Sequence, residues 1–152
     1  MPELAQLVTD NKVSVIANAG TLVEPVTRSE ILAETANLPL FLFAHNHQQR
    51  ELQTGQANNT DHGWGAHQIV MSGDPTFQGG KLLGTLPDLT LGGSNDFSSK
   101  GRLIPTTAVD QINASLINWL GVDTTLMPTI FPNLSKFQTS GTIDTAYLNL
   151  FA

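Results

Sequence analysis

The segment Val13-Ser14-Val15-Ile16-Ala17-Asn18-Ala19-Gly20 restricts the folds open to this chain more than any other. It is mostly apolar, contains β-branched residues and is closed by small ones. Such a run suits a strand buried on both faces, as in a parallel sheet, better than an edge strand. A second run, Leu38 to Ala44, reads the same way, with Pro39 at its start because proline cannot donate to a ladder. Between the two, Thr27 to Ala36 suits a helix, with Thr27 as cap and Glu30 three residues on. Ahead of them, Pro2 to Val8 carries Leu4, Leu7 and Val8 at helical spacing. The order helix, strand, helix, strand is that of a layered α/β protein.

A third strand is expected over Gln68 to Met71, followed by a Gly-, Pro-, Asp- and Ser-rich excursion from Asp74 to Leu103. The clearest helical pattern runs from Thr107 to Leu120, with Val109, Ile112, Leu116, Trp119 and Leu120 on one face and Gly121 just past the end. Thr107 is its expected cap and Trp119 is expected to be buried. Met127 to Phe131 is interrupted by proline, and the run from Thr142 to Phe151 is weakly patterned and expected to hold little fixed structure. Val13 to Ala19, Phe41 to Ala44 and Gln68 to Met71 are thus expected as neighbouring, mainly parallel strands flanked by helices. At 152 residues the chain is expected to form a single domain, 1–152.

Charge narrows the function classes. The formal charge is -6 and only seven Lys and Arg are present, scattered from Lys12 to Lys136, which disfavours nucleic acid and anionic membranes as partners. There is no cysteine, so thiolate metal sites, disulfides and a cysteine nucleophile are excluded. No apolar run approaches the roughly 20 residues of a spanning helix, and Met1-Pro2-Glu3 does not open a signal peptide.

Chemistry gathers in one stretch. All four histidines, His45, His47, His62 and His67, lie within 23 residues that also hold Asp61. Asp61 and His62 side by side offer an oxygen and an imidazole nitrogen from one turn, a pair suited to zinc or another divalent first-row metal. Gly63 and Gly65 would let the backbone turn sharply there. His45 and His47, two apart at the end of a strand, would point to one face and reach one ion together. The same residues also suit a plainer reading, with Asp61 capping a turn and the histidines as polar loop residues. No GxSxG elbow exists, and Gly79-Gly80-Lys81 and Gly92-Gly93-Ser94 lack the Walker frame and read as turns.

Several segments carry a resemblance. They are Thr60-Asp61-His62-Gly63-Trp64-Gly65-Ala66-His67, Gly79-Gly80-Lys81, Gly101 to Asp110, Trp119-Leu120-Gly121-Val122 and Phe131-Pro132-Asn133-Leu134. In order and spacing they resemble the C-terminal part of the domain-of-unknown-function 1501 proteins, of the alkaline-phosphatase-like and sulfatase-like superfamily. Val15 to Pro25 and Phe43 to Gln49 resemble an earlier portion of that family. The resemblance implies an internally shortened, reduced three-layer α/β/α core with metal ligands at the C-terminal ends of parallel strands. By it Asp61 and His62 match the paired metal ligands, and His67 falls where a further ligand or a supporting group belongs.

This chain also departs from that pattern. The family's Asp-Gly-Gly-Asn-Asp-type segment is absent from this sequence, and the export signal typical of the family is not expected from its opening residues. Ala44 stands where the family often has serine before the residue matching His45. Transfer of a phosphoryl or sulfuryl group needs a nucleophile, an activating metal and a charge clamp, and only part of the metal component is present. The expected function is therefore a metal-binding, hydrolase-derived domain with weak or no activity. The alternatives are a small metallohydrolase of phosphate or sulfate esters completed by homo-oligomerisation, and a structural module without metal. In each case a homodimer or larger assembly is expected, because a sheet of few strands leaves unpaired edges.

Overall fold

A computed structural model describes residues 2–38, 64–97 and 99–152. Its elements are α1 (Pro2–Thr9), β1 (Val13–Gly20), α2 (Arg28–Leu32), β2 (Gly65–Met71), β3 (Leu82–Leu83), β4 (Thr107–Ala108), α3 (Val109–Trp119) and α4 (Met127–Ile130). Short 3-10 turns follow at Thr124–Leu126, Leu134–Phe137 and Ile143–Ala146. The result is a mixed α/β domain with a small open sheet.

β1 is the centre of that sheet, as its apolar run requires. It pairs antiparallel with β2 along its whole length, from Val13 opposite Met71 to Gly20 opposite Gly65. On the other edge it pairs parallel with β3 through Val15 and Ile16, and then parallel with β4 through Ala19 and Gly20. Seven of its eight residues are buried. The expectation that Gln68 to Met71 runs parallel to β1 is corrected. In β2 His67, Ile69 and Met71 face solvent while Gln68 and Val70 are half-buried. A strand with one wet face is of the kind that antiparallel pairing accommodates. The expected strand over Phe41 to Ala44 lies outside the described residues.

Local chemistry places α2 accurately but makes it shorter than the Thr27 to Ala36 reading. Thr27 Oγ1 accepts the Glu30 N–H at 3.3 Å, and Glu30 Oε2 accepts the Thr27 N–H at 2.7 Å, a reciprocal cap. α3 starts later than expected. Thr107 does not cap it; Thr107 belongs to β4 and its hydroxyl donates to the Ala17 carbonyl at 3.3 Å. Ala108 takes the capping position, and the Gln111 side chain accepts its N–H at 3.1 Å.

Ile16, Ala19, Phe77, Ile112 and Leu150 form one apolar cluster between β1 and α3. A larger one gathers Leu22, Ile31, Trp64, Phe97, Ile104 and Met127, with Leu134 and Phe137 from the tail. The tail is thus better fixed than its weak pattern implies. Leu150 and Ala146 are fully buried, and the Leu150 carbonyl accepts the Gln78 N–H at 2.7 Å.

Trp119 is a further correction. It is 41% exposed, and its ring stacks on Phe151 with centroids 4.7 Å apart and planes 12° from parallel. It lies in the last turn of α3, where the helix projects past the core. Trp119→Ala should therefore cost about 0.5–1.5 kcal/mol for the aromatic pair plus a part of its burial, less than the ~3–5 kcal/mol of a core tryptophan. Urea unfolding of the variant checks this.

Surface carboxylates set the acid response. Hydrogen bonds hold Glu24 (from Asn37), Glu30 (from Thr27), Asp74 (from Thr76), Asp88 (from Thr90) and Asp123 (from Thr125) below their ordinary pKa values. Burial acts the other way on Asp110 and raises it. A depressed carboxylate contributes stability above its unfolded pKa and loses it as pH falls through its folded pKa; Asp110 has the opposite sign. With five against one among the described residues, stability should fall as pH drops below about 4, and urea midpoints at about pH 6 and about pH 3 will measure it.

Candidate functional site

The C-terminal end of β1 is where the strand departs from regular geometry. Ile16 pairs with Gln68 and Ala19 with Ala66, so Ala17 and Asn18 together oppose the single residue His67. This is a β-bulge, a device that re-aims side chains and is common beside functional sites. Asn18 accommodates it with φ of 48°, a left-handed conformation that asparagine tolerates better than most residues. Three hydrogen bonds hold the bulge. Asn18 Nδ2 donates to the Ile104 carbonyl at 2.8 Å, the Asn18 carbonyl accepts the Thr106 N–H at 3.0 Å, and the Asn18 N–H donates to His67 Nδ1 at 3.1 Å.

The backbone approaches closely here. A Cβ on Gly20 would lie 2.4 Å from Pro105 Cγ, and one on Gly65 would lie 2.7 Å from Asn18 Oδ1. Gly65 is thus needed inside β2 for close approach, in place of the sharp turn expected of it.

The bond to Asn18 decides what His67 offers. A neutral imidazole carries one proton. Because Nδ1 accepts a backbone N–H, the proton is on Nε2, which presents a donor. A histidine that ligates metal through one nitrogen ordinarily donates from the other. Of the two roles the resemblance implied for His67, this arrangement suits the supporting donor better than the direct ligand. Asp61, His62, His45 and His47 lie outside the described residues. Among the described residues, no group of three or more His, Asp or Glu side chains is placed to hold a metal ion.

Trp64, the first described residue after the Asp61-His62 segment, is firmly anchored at this end of the sheet. Its indole Nε1 donates to the Thr21 carbonyl at 2.8 Å, and its ring meets Phe97 edge-on at 5.7 Å. Behind Phe97 is Arg102, a buried guanidinium 4.8 Å from the ring centroid. Asp96 is fully buried nearby in the chain, and its Oδ2 accepts the N–H groups of Gly92 and Gly101, each at 3.0 Å. Sequence reasoning passed over this charged pair of residues. Its signal was weak: Asp96 is one of three aspartates in the Gly-, Pro-, Asp- and Ser-rich stretch from Asp74 to Leu103, and Arg102 is its single arginine.

These features define the class as a mixed α/β domain whose central strand ends in a bulge beside a buried aromatic and arginine layer. No helix among the described residues is long and apolar enough to cross a membrane. Compared with known proteins, the chain matches no family model, no curated protein and no solved structure.

Proposed function

We propose that this chain is a metal-binding, hydrolase-derived domain of the alkaline-phosphatase-like type, with a reduced three-layer core and weak or no catalytic activity. Asp61 and His62 hold a divalent cation, zinc by choice of ligands, with His45 or His47 as the third ligand. The observation that carries this reading is the construction at the C-terminal end of β1. There Trp64, immediately after Thr60-Asp61-His62-Gly63, is anchored beside the Asn18 bulge. Ligands gather at strand C-terminal ends in open α/β sheets. The two parallel pairings of β1, and the helix α3 directly after β4, support the fold part of the reading.

Within such a site His67 is held in one tautomer by Asn18 and presents Nε2–H toward a ligand or a bound anion. A bound divalent cation would supply Lewis acidity toward an ester oxygen or a water. Ala44 brings no hydroxyl nucleophile, so ester hydrolysis is slow or absent. The alternative, a phosphate or sulfate ester hydrolase completed by a second copy, is favoured by one observation. Ile69 and Met71 of β2 and Leu82 of β3 are each more than half exposed on the described sheet.

Calorimetric titration of zinc into metal-free, untagged protein tests the proposal. The parent chain should bind saturably, and Asp61→Ala and His62→Ala should each lose more than the roughly 10–100-fold typical of removing a supporting partner. His67→Ala should fall within that range. Unchanged binding in both Asp61→Ala and His62→Ala removes the metal site. Sedimentation of the same samples at micromolar concentration reads assembly, and a monomer removes the two-copy alternative.

A further inference from the structure

A cleft lies at the C-terminal end of α3, and neither Asp61 nor His62 lines it. This cleft, of about 610 Å³, opens between the last turn of α3, the 144–149 segment and the 74–76 turn. Its volume lies within the ~300–1,000 Å³ of small-molecule sites. Its walls are fixed in advance of any ligand. The Leu148 N–H donates to Ser115 Oγ at 2.8 Å, Gln111 Nε2 donates to the Ala146 carbonyl at 2.9 Å, and the Ala152 N–H donates to the Thr76 carbonyl at 2.9 Å.

The lining selects a ligand class. Asp74, Asn118, Trp119, Asp144, Asn149 and Phe151 present carboxylates, amides and aromatic rings, and among the described residues no Lys, Arg or His lines the cleft. The Thr76 hydroxyl and N–H, followed by the Trp119 side chain and the charge of Lys12, hold the Asp74 carboxyl below its ordinary range. A phosphate or sulfate ester would therefore meet two carboxylates and no cationic side chain among the described lining residues. Trp119 and Phe151 lie flat against each other, which covers one indole face, and Trp119 remains 41% exposed. Tyr147 is the third aromatic ring of the lining. Asn118, Asn149 and Asp144 make no side-chain hydrogen bond to another described residue, so their polar groups are open to a ligand.

We infer that this cleft binds a neutral sugar, with the C–H face of a pyranose ring on Trp119 and its hydroxyls shared between the carboxylates and the amides. The electron-rich indole face attracts the weakly positive C–H edge of the ring. Sugar hydroxyls donate to Asp74 and Asp144 in charge-assisted bonds and accept from the amides of Asn118 and Asn149. Neutral charge, a flat platform and paired donors and acceptors are what such a ring requires.

Titration of the isotope-labelled full chain with cellobiose, maltose and lactose, followed by nuclear magnetic resonance, tests the inference. The Trp119 indole N–H resonance is assigned by its loss in Trp119→Phe. At least one disaccharide should shift it saturably in the millimolar range. Asp144→Ala, which removes a carboxylate that makes no side-chain hydrogen bond to another described residue, should weaken binding about tenfold. Asp61→Ala should leave it unchanged, which separates this site from the metal reading. The inference is overturned if no disaccharide moves the resonance at tens of millimolar, if tetramethylammonium moves it and the sugars do not, or if Asp144→Ala binds as the parent does.

Discussion

Replacing Ile16 with alanine should destabilise the domain by about 2–5 kcal/mol, the cost of emptying a core site that cannot fully collapse. Ile16 is fully buried in the middle of β1, which is paired on both edges. It packs with Ala19, Phe77, Ile112 and Leu150, so the cavity would be walled by the central strand, α3 and the tail at once. Such a site relaxes poorly, because movement toward the gap must break sheet pairing or helix packing. At roughly 2–4 °C per kcal/mol for a domain of this size, the melting temperature should fall by about 4–20 °C. Ile69→Ala on the open face of β2 is the control, and should stay within about 0.5 kcal/mol. Paired urea and thermal unfolding of the two variants gives the answer. A loss for Ile16→Ala no larger than for Ile69→Ala would mean that β1 is not the centre of the core.

Gly79→Ala should be as severe, for a different reason. A Cβ at Gly79 would stand 1.9 Å from the Asn11 carbonyl oxygen and 2.3 Å from its carbon. Both are backbone atoms at the turn into β1, so no side-chain rotation relieves the clash. The 78–81 segment would have to lift away from the strand it covers. Its bonds there run from the Gly80 N–H to the Val13 carbonyl at 2.7 Å and from the Val15 N–H to the Lys81 carbonyl at 2.9 Å. The expected loss is at or above the ~1–3 kcal/mol of ordinary overpacking. Gly73→Ala, where a Cβ meets nothing within 4 Å, should be neutral to about 0.5 kcal/mol. Amide exchange adds a local reading: Gly80 and Val15 should lose protection in Gly79→Ala and keep it in Gly73→Ala. If the clashing variant unfolds at the same urea concentration as the parent, the close approach at Asn11 is wrong.

Gly79 and Gly80 also illustrate how a motif acquires its meaning. In sequence they are glycines of a turn, and that reading was sufficient to set aside a phosphate loop. What makes Gly79 irreplaceable is the Asn11 carbonyl, nearly 70 residues earlier in the chain. The candidate metal site divides in the same way. The cluster of Asp61 with four histidines was legible as a composition of ligands. The Asn18 bulge that orients His67 was not, although an asparagine inside an otherwise apolar strand is a faint signal for one.

By itself, the sequence determined what depends on neighbours a few residues away. α1 follows from the spacing of Leu4, Leu7 and Val8, and the start of α2 from the Thr27 and Glu30 cap. β1 follows from a continuous apolar run that only a doubly covered strand can bury. These are local energies, repeated at every turn or every second residue, and so they are written into local order. Only the tertiary structure decided the antiparallel direction of β2, the loss of Thr107 to β4, the exposure of Trp119 and the packing of the Thr142 to Phe151 tail. Each depends on contacts between distant segments, such as the bond from Asn18 to Ile104 across 86 positions. No periodicity encodes such contacts, because each exists only once the two segments have been brought together.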